Sequence, residues 1–209
     1  MSVLDRAEHW NRVYATKRET EVSWFEAEAS LSLALIKSWS RSTDDAAIDI
    51  GGGASRLAGG LLEAGYPDIT VLDLSQEALE VSKRRLGERS LDVKWIVADV
   101  TKWQPPRSFH ILHDRAAFHF LTAAADQGAY IACLKKALHP GGYAIIGTFA
   151  LDGPEMCSNL PVVRYSHETL AQTLGPSFDL VEMRTFGHRT PLGRIQQFQF
   201  SVFRRRDGD

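Results

Sequence analysis

Cysteine is almost missing from this chain of 209 residues: Cys133 and Cys157 are the only two. One stands in an apolar, helical run and the other in the loop-like GPEMCSN segment, so two reduced thiols are expected and a disulfide framework is not. A chain of this length buries roughly 70% of its unfolded surface and needs no such scaffold. An excess of one charge is missing too. With 24 Lys+Arg against 26 Asp+Glu the formal charge is −2, too little positive field for a nucleic-acid coat or a polybasic membrane binder. No run approaches the roughly 18 apolar residues of a membrane span. The first fifteen residues hold Asp5, Arg6, Glu8 and Arg12, which leaves no apolar core for a secretory signal. Internal repeats and low-complexity tracts are likewise missing. What remains is one soluble domain, expected in the cytoplasm, monomeric or weakly homo-oligomeric, acting on a small molecule or a protein.

What is present is an ordered alternation. Residues 1–45 read as two helical pieces, the first with Trp10 and Tyr14 on one face, the second with Leu31, Leu33, Ala34, Leu35 and Ile36; Trp24 and Phe25 lie between them. From Ala46 short apolar runs (AAIDI, ITVLD, VKWIVAD) alternate with helical ones (ASRLAGGLLEAG, SQEALEVSKRRLG). Ser55 and Ser75 stand where helix N-caps belong, and Gly65 and Gly87 where helices should stop. FHILHD reads as a fourth strand and residues 123–138 as a helix closed by His139-Pro140-Gly141-Gly142. YAIIGTF reads as a fifth strand, 151–166 as a loop and 167–174 as a helix, before two final strand-like runs. In the last of these Ile195, Phe198, Phe200 and Val202 fall mostly on one side, as in an antiparallel edge region. The pattern predicts an α/β fold with a mostly parallel sheet and helices on both faces.

Four strand-like runs end in an acid: Asp49, Asp73, Asp99 and Asp114. In an open parallel sheet these ends share the edge where ligands bind, and carboxylates gathered there call for a ligand with donors and positive charge. The first acid precedes a glycine loop, Gly51-Gly52-Gly53, which departs from the dinucleotide pattern because Arg56 stands where the third small residue belongs. No triphosphate-binding loop is present either. Asp73, 22 residues after Gly51, can accept both hydroxyls of a ribose, and Asp99 with the backbone N–H of Val100 can hold an adenine edge. An adenosine without phosphates and with a cationic tail fits this set; S-adenosylmethionine is such a ligand.

With these motifs (DIGGGAS, VLDLS, ADV) the chain resembles the class I S-adenosylmethionine-dependent methyltransferases from about Ala46 to Phe203. The resemblance implies a Rossmann-like, seven-stranded sheet whose last strand is antiparallel. It assigns Gly51 and Gly53, beside Asp49, to the methionine moiety, Asp73 and Leu74 to the ribose, and Asp99 and Val100 to the adenine. WNRVY, VSWF and HDRAAFHFLT are similar to a bacterial group of unassigned substrate, and more distantly to protein-lysine and thiopurine-type methyltransferases. That likeness gives Trp10, Tyr14 and Trp24 the role of closing over the cofactor, makes residues 1–45 a helical lid on a 46–209 core, and adds Arg115 to the cofactor set.

The departures narrow the chemistry. His113-Asp114-Arg115-Ala116 replaces the D/N-P-P-Y/F motif of DNA amino-methyltransferases, and neither cysteine follows a proline as in cytosine-ring enzymes. The expected function is methyl transfer to an N, S or O acceptor on a protein lysine or a small molecule. Asp114 and His119 are the candidates for taking a proton from the acceptor. His110 and His113 point to opposite faces of a strand, so no metal site is expected. Arg204-Arg205-Arg206 reads as a solvated strand end, and His188 as a turn or a substrate-pocket residue. Two other classes compete: a non-catalytic S-adenosylmethionine sensor or scaffold, which lacks an acceptor site, and a Rossmann NAD(P) oxidoreductase, which needs the third small residue.

Overall fold

The computed structural model describes residues 3–208, with side chains from Arg6 onward. Helices α1 (Val3–Thr16) and α2 (Ser30–Trp39) precede the sheet. Then follow β1 (Ala47–Ile50), α3 (Leu57–Glu63), β2 (Ile69–Asp73), α4 (Gln76–Leu86), β3 (Val93–Val97), β4 (Phe109–Arg115) and α5 (Ala124–Ala137). The chain continues with β5 (Leu138–Phe149), a hairpin of β6 (Met156–Cys157) and β7 (Leu160–Pro161), α6 (His167–Leu174), β8 (Phe178–Arg189) and β9 (Ile195–Arg205).

Seven strands form one sheet in the order β3-β2-β1-β4-β5-β9-β8, with β9 antiparallel to both neighbours and the other pairs parallel. Period-two alternation divides its side chains between two cores. Ile48, Ile50, Leu112 and Phe203 pack on one face with Tyr130 and Leu134 of α5 and Leu170 and Leu174 of α6. Ala47, Val71, Ile111, Phe198, Phe200 and Val202 pack on the other with Leu35 and Ile36 of α2, Leu61 of α3 and Leu79 of α4. Covered on both sides, β1 is buried at all four positions, and each fully buried large side chain contributes about 1.5–3 kcal/mol. The chain runs β1, β2, β3 to one side and returns to β4 on the other, so the order reverses between β1 and β4. A crevice opens beyond the carboxyl ends of those two strands.

Local chemistry sets most boundaries. Ser75 caps α4 by accepting from the Ala78 N–H, and Gly87 ends that helix at φ +59°. Gly65, at φ +86°, follows Ala64, the C-cap residue of α3. Three boundaries differ from the sequence reading. The cap position of α3 is Arg56, and Ser55 Oγ instead accepts from the Leu57 N–H at 3.1 Å. Helix α5 stops at Ala137, because Leu138 already pairs with Phe109, and His139–Gly142 belongs to an irregular start of β5 with Gly141 at φ +73°. The 151–166 loop holds the β6–β7 hairpin, whose two turn residues, Ser158 and Asn159, both have left-handed backbones (φ +48° and +61°), as a two-residue turn of primed type requires.

Candidate functional site

At the crevice the backbone has to pass close to whatever binds there. Gly51 turns at φ +68°, and its N–H donates to the Leu72 carbonyl at 2.7 Å. A Cβ on Gly52 would lie 2.4 Å from Asp49 Oδ2, and one on Gly53 2.7 Å from Asp73 Oδ2. The glycine loop is therefore wedged between two carboxylates, and no other residue fits there without displacing one of them.

The carboxylates are prepared differently. Asp73 accepts from the Ser75 N–H at 2.7 Å. Burial, and then the nearby charge of Asp49, push its pKa up to about 7 against the N–H groups that oppose the shift. Asp99 uses one oxygen for the Thr101 N–H and hydroxyl, at 2.9 and 2.8 Å. Its other oxygen is buried without a hydrogen bond, 3.6 Å from the Arg6 guanidinium. A buried carboxylate oxygen without a donor is costly, and a ligand N–H would satisfy it. Asp49 faces His113, whose Nδ1 lies 2.7 Å from Oδ1. These three acids, Leu74, Val100 and, from the glycine loop, Gly51 and Gly52 line one cleft of about 1360 Å³, its open mouth included. A ligand rich in phosphate would meet three carboxylates here, which disfavours a dinucleotide.

The N-terminal segment roofs the cleft. Trp10 packs edge-on against Trp24 and Phe120, with ring centroids 5.6 and 5.0 Å apart, and Trp24 Nε1 donates to the Tyr14 hydroxyl at 2.9 Å. Burial raises the Tyr14 pKa, so its hydroxyl stays protonated. Glu19 bonds to Arg56 and Arg85, and Asn11 Oδ1 accepts from Ser75 Oγ at 2.8 Å. Arg115 Nη1 donates to the Trp24 carbonyl at 3.1 Å, Nη2 lies 3.0 Å from Glu26, and the guanidinium sits 4.9 Å from the Phe198 ring centre. His188 reaches the Ser23 carbonyl at 2.7 Å, which places it as an anchor for this roof. Arg115, Glu26, Phe149, Cys157 and Phe198 also line the cleft.

Asp114 and His119, the residues expected to move a proton, are not brought to the cleft. Asp114 is fully buried and accepts from the Ala117 and Phe118 N–H groups and from the Tyr130 hydroxyl at 2.7 Å. It thereby fixes the turn after β4; burial lifts its pKa to about 6. His119 is equally buried, accepts from the Phe149 N–H at 3.3 Å, and is driven by burial to a pKa of about 3. Its ring is neutral and packed against Phe120 and Phe149. His110 accepts from the Ala46 N–H, and among the described residues no cluster of His, Cys, Asp and Glu could hold a metal ion. No described helix is long and apolar enough to cross a membrane.

Sequence reasoning missed Arg6, Asn11, Glu19, Glu26 and Ser32 around this site; single polar residues in helical or loop runs carry no periodic signal. His113 had one, since it occupies in β4 the place that Asp49 occupies in β1: the two are register partners on adjacent parallel strands.

Comparison with known proteins adds to the geometry. Residues 47–142 match the family described as "Methyltransferase domain". Over 110 residues the chain is 26% identical to the mouse (Mus musculus) eEF1A lysine and N-terminal methyltransferase, covering 52% of this chain but only 16% of that protein. A solved structure titled for conversion of a disulfide bond into a thioacetal group during echinomycin biosynthesis superposes with a TM-score of 0.78 at 21% identity, over 98% of this chain and 94% of the other. The Burkholderia thailandensis 1,6-didemethyltoxoflavin-N1-methyltransferase, with S-adenosylhomocysteine bound, superposes at 0.69 and 20% identity, over 98% and 85%. In its 3-2-1-4-5 parallel order with an antiparallel last strand, its glycine loop between two carboxylates and its methyltransferase-domain match over residues 47–142, this chain is similar to the S-adenosylmethionine-dependent methyltransferases.

Proposed function

We propose that the chain transfers the methyl group of S-adenosylmethionine to an amine nitrogen, on a small molecule or on a lysine side chain. The observation that carries the donor half is the set of three carboxylates around one glycine loop, with Asp99 Oδ2 buried and without a donor. In this reading Asp49 and Arg115 hold the charged ends of the methionine moiety and Gly51 and Gly53 let it lie against the backbone. Asp73 and Leu74 hold the ribose, and Asp99 and Val100 the adenine. Trp10, Tyr14 and Trp24 exclude water from above. The sulfonium supplies an activated methyl on a good leaving group, so alignment of the acceptor accounts for much of the rate.

The acceptor half is bounded by Trp24, Phe149, Phe198 and Cys157, with Glu26 as its carboxylate. Bound S-adenosylmethionine would supply the methyl to the nitrogen lone pair, its sulfur leaving as the thioether of S-adenosylhomocysteine, and an ammonium acceptor would first give up its proton to solvent. Because Asp114 is engaged by three donors and His119 is a neutral, enclosed ring, both serve as positioning residues for the 115–120 turn. The nitrogen preference is supported by the names of two of the relatives above.

The test is transfer of a tritiated methyl into a cell extract. Acid-stable label in a protein fraction, recovered as methyl-lysine, or label in a small amine, agrees with the proposal. Label only on sulfur or oxygen contradicts the nitrogen assignment, and binding of the cofactor without transfer to any component favours a sensor.

A further inference from the structure

Behind the glycine loop lies a buried chain of three polar side chains, of which the cofactor motifs include only Asp49. Asp49 Oδ1 is 2.7 Å from His113 Nδ1, and His113 Nε2 is 2.9 Å from Ser32 Oγ. All three are buried, at 4%, 3% and 2% exposure. An ionised carboxylate can only accept, so Nδ1 carries the proton, and the ring's other nitrogen meets the Ser32 hydroxyl. The connectivity is that of an acid–base–nucleophile triad, yet Ser32 does not line the cleft. It sits on α2, packed among side chains that cover the sheet, so no substrate carbonyl reaches its oxygen. What the chain does is fix a rotamer. With Oδ1 held from behind by His113, Asp49 Oδ2 is turned towards Gly52, where a Cβ would approach it to 2.4 Å.

We infer that His113 is a positioning residue for the methionine end of the donor: tethered by Ser32, it aims Asp49 at the cofactor's α-ammonium and so makes binding selective for ligands that carry that group. The placement follows from the fold. Asp49 and His113 are register partners on β1 and β4, the two strands that flank the topological switch, so their side chains leave the sheet on the same face. Ser32 lies on α2, the helix that follows the roof residues in the chain, which ties the roof to the carboxylate that grips the ligand. The inference rests on the donor reading proposed above, and the experiment separates the two.

Isothermal titration calorimetry of the full chain compares S-adenosylhomocysteine with its deaminated analogue, in which hydrogen replaces the α-amino group. Measurable binding of S-adenosylhomocysteine by the unmodified chain tests the donor reading first, and its absence overturns both statements. Given that binding, His113→Leu is expected to weaken the amino-bearing ligand by about tenfold to a hundredfold, the range of a hydrogen bond to a charged group, and the analogue by less than about threefold. Asp49→Asn should erase the selectivity, and adding His113→Leu to it should cost no further selectivity. Equal losses for both ligands, as a general packing defect would give, overturn the inference, and so does unchanged binding of both. Should His113→Leu fail to fold, Ser32→Ala carries the same comparison, with a selective loss of about threefold to tenfold expected.

Discussion

At the scale of single residues, the site works by holding carboxylates where they are expensive until a ligand arrives. Asp73 shows the sign of that cost. Its pKa is raised to about 7 in the folded chain, above the ordinary value of 3.8. The folded state therefore binds more protons than the unfolded one between those values, and stability falls as pH rises through the window. Asp73→Asn should accordingly be more stable than the parent at pH 8, by about 1–3 kcal/mol, with the advantage gone below pH ~4. Thermal unfolding across pH checks this. The same group must be ionised to accept two ribose hydroxyls, so cofactor binding at pH 6.5 should release a proton. Calorimetry in buffers of different ionisation enthalpy reads that release, and Asp73→Asn should abolish it. Glycine supplies a second comparison. Gly51→Ala forces a Cβ to 2.6 Å from Ala117 Cβ at φ +68°, whereas Gly65, at φ +86°, has open space around it. The first variant should lose about 2–4 kcal/mol and the cofactor with it; the second should lose about 1 kcal/mol and bind normally.

At the scale of elements, the N-terminal segment is held to the core by several separate contacts: Asn11 on the α4 cap, Glu19 on Arg56 and Arg85, His188 on the Ser23 carbonyl, and Arg115 on the Trp24 carbonyl. Trp24 joins the two halves of this roof. Trp24→Phe keeps an aromatic edge but removes the donor to Tyr14, and should cost about 1 kcal/mol. Trp24→Ala should cost about 2–3 kcal/mol and weaken cofactor binding at least tenfold, as melting curves and titrations would report. The elements were also where sequence was most legible. Alternating strand and helix runs fixed β1 to β5 because buried parallel strands are continuously apolar and their helices amphipathic. Ser75 and Gly87 marked the ends of α4 because capping is local chemistry. The β6–β7 hairpin was not legible: two-residue strands have no period, and its left-handed turn uses Ser158 and Asn159 in place of a glycine. The proposed cofactor residues of the core, Asp49, Asp73 and Asp99, stood out because they lie at or close to the ends of β1, β2 and β3. The expectation for Asp114 and His119 used the same logic and met a different outcome, since a side chain near the right edge can still point into the packing behind it.

At the scale of the whole molecule, one sheet edge organises everything, and a composition that at first pointed only to a soluble domain acquires a direction. Three acids face the cleft, while Asp114 turns into the core. The two thiols report this geometry independently. Both are buried, and burial raises each pKa to about 11, but only Cys157 lines the cleft; Cys133 sits on α5. S-adenosylhomocysteine should slow alkylation of Cys157 several-fold and leave Cys133 unchanged, as peptide mass spectrometry can read. The central claim is that the cleft is built for a phosphate-free adenosine carrying a charged amino-acid tail. It is tested most directly by calorimetric titration of the full chain with S-adenosylhomocysteine and, separately, with NADH. The account predicts saturable one-to-one binding of the first, lost in Asp99→Ala, and no binding of the second. Binding of NADH, or S-adenosylhomocysteine binding indifferent to Asp49, Asp73 and Asp99, would contradict it.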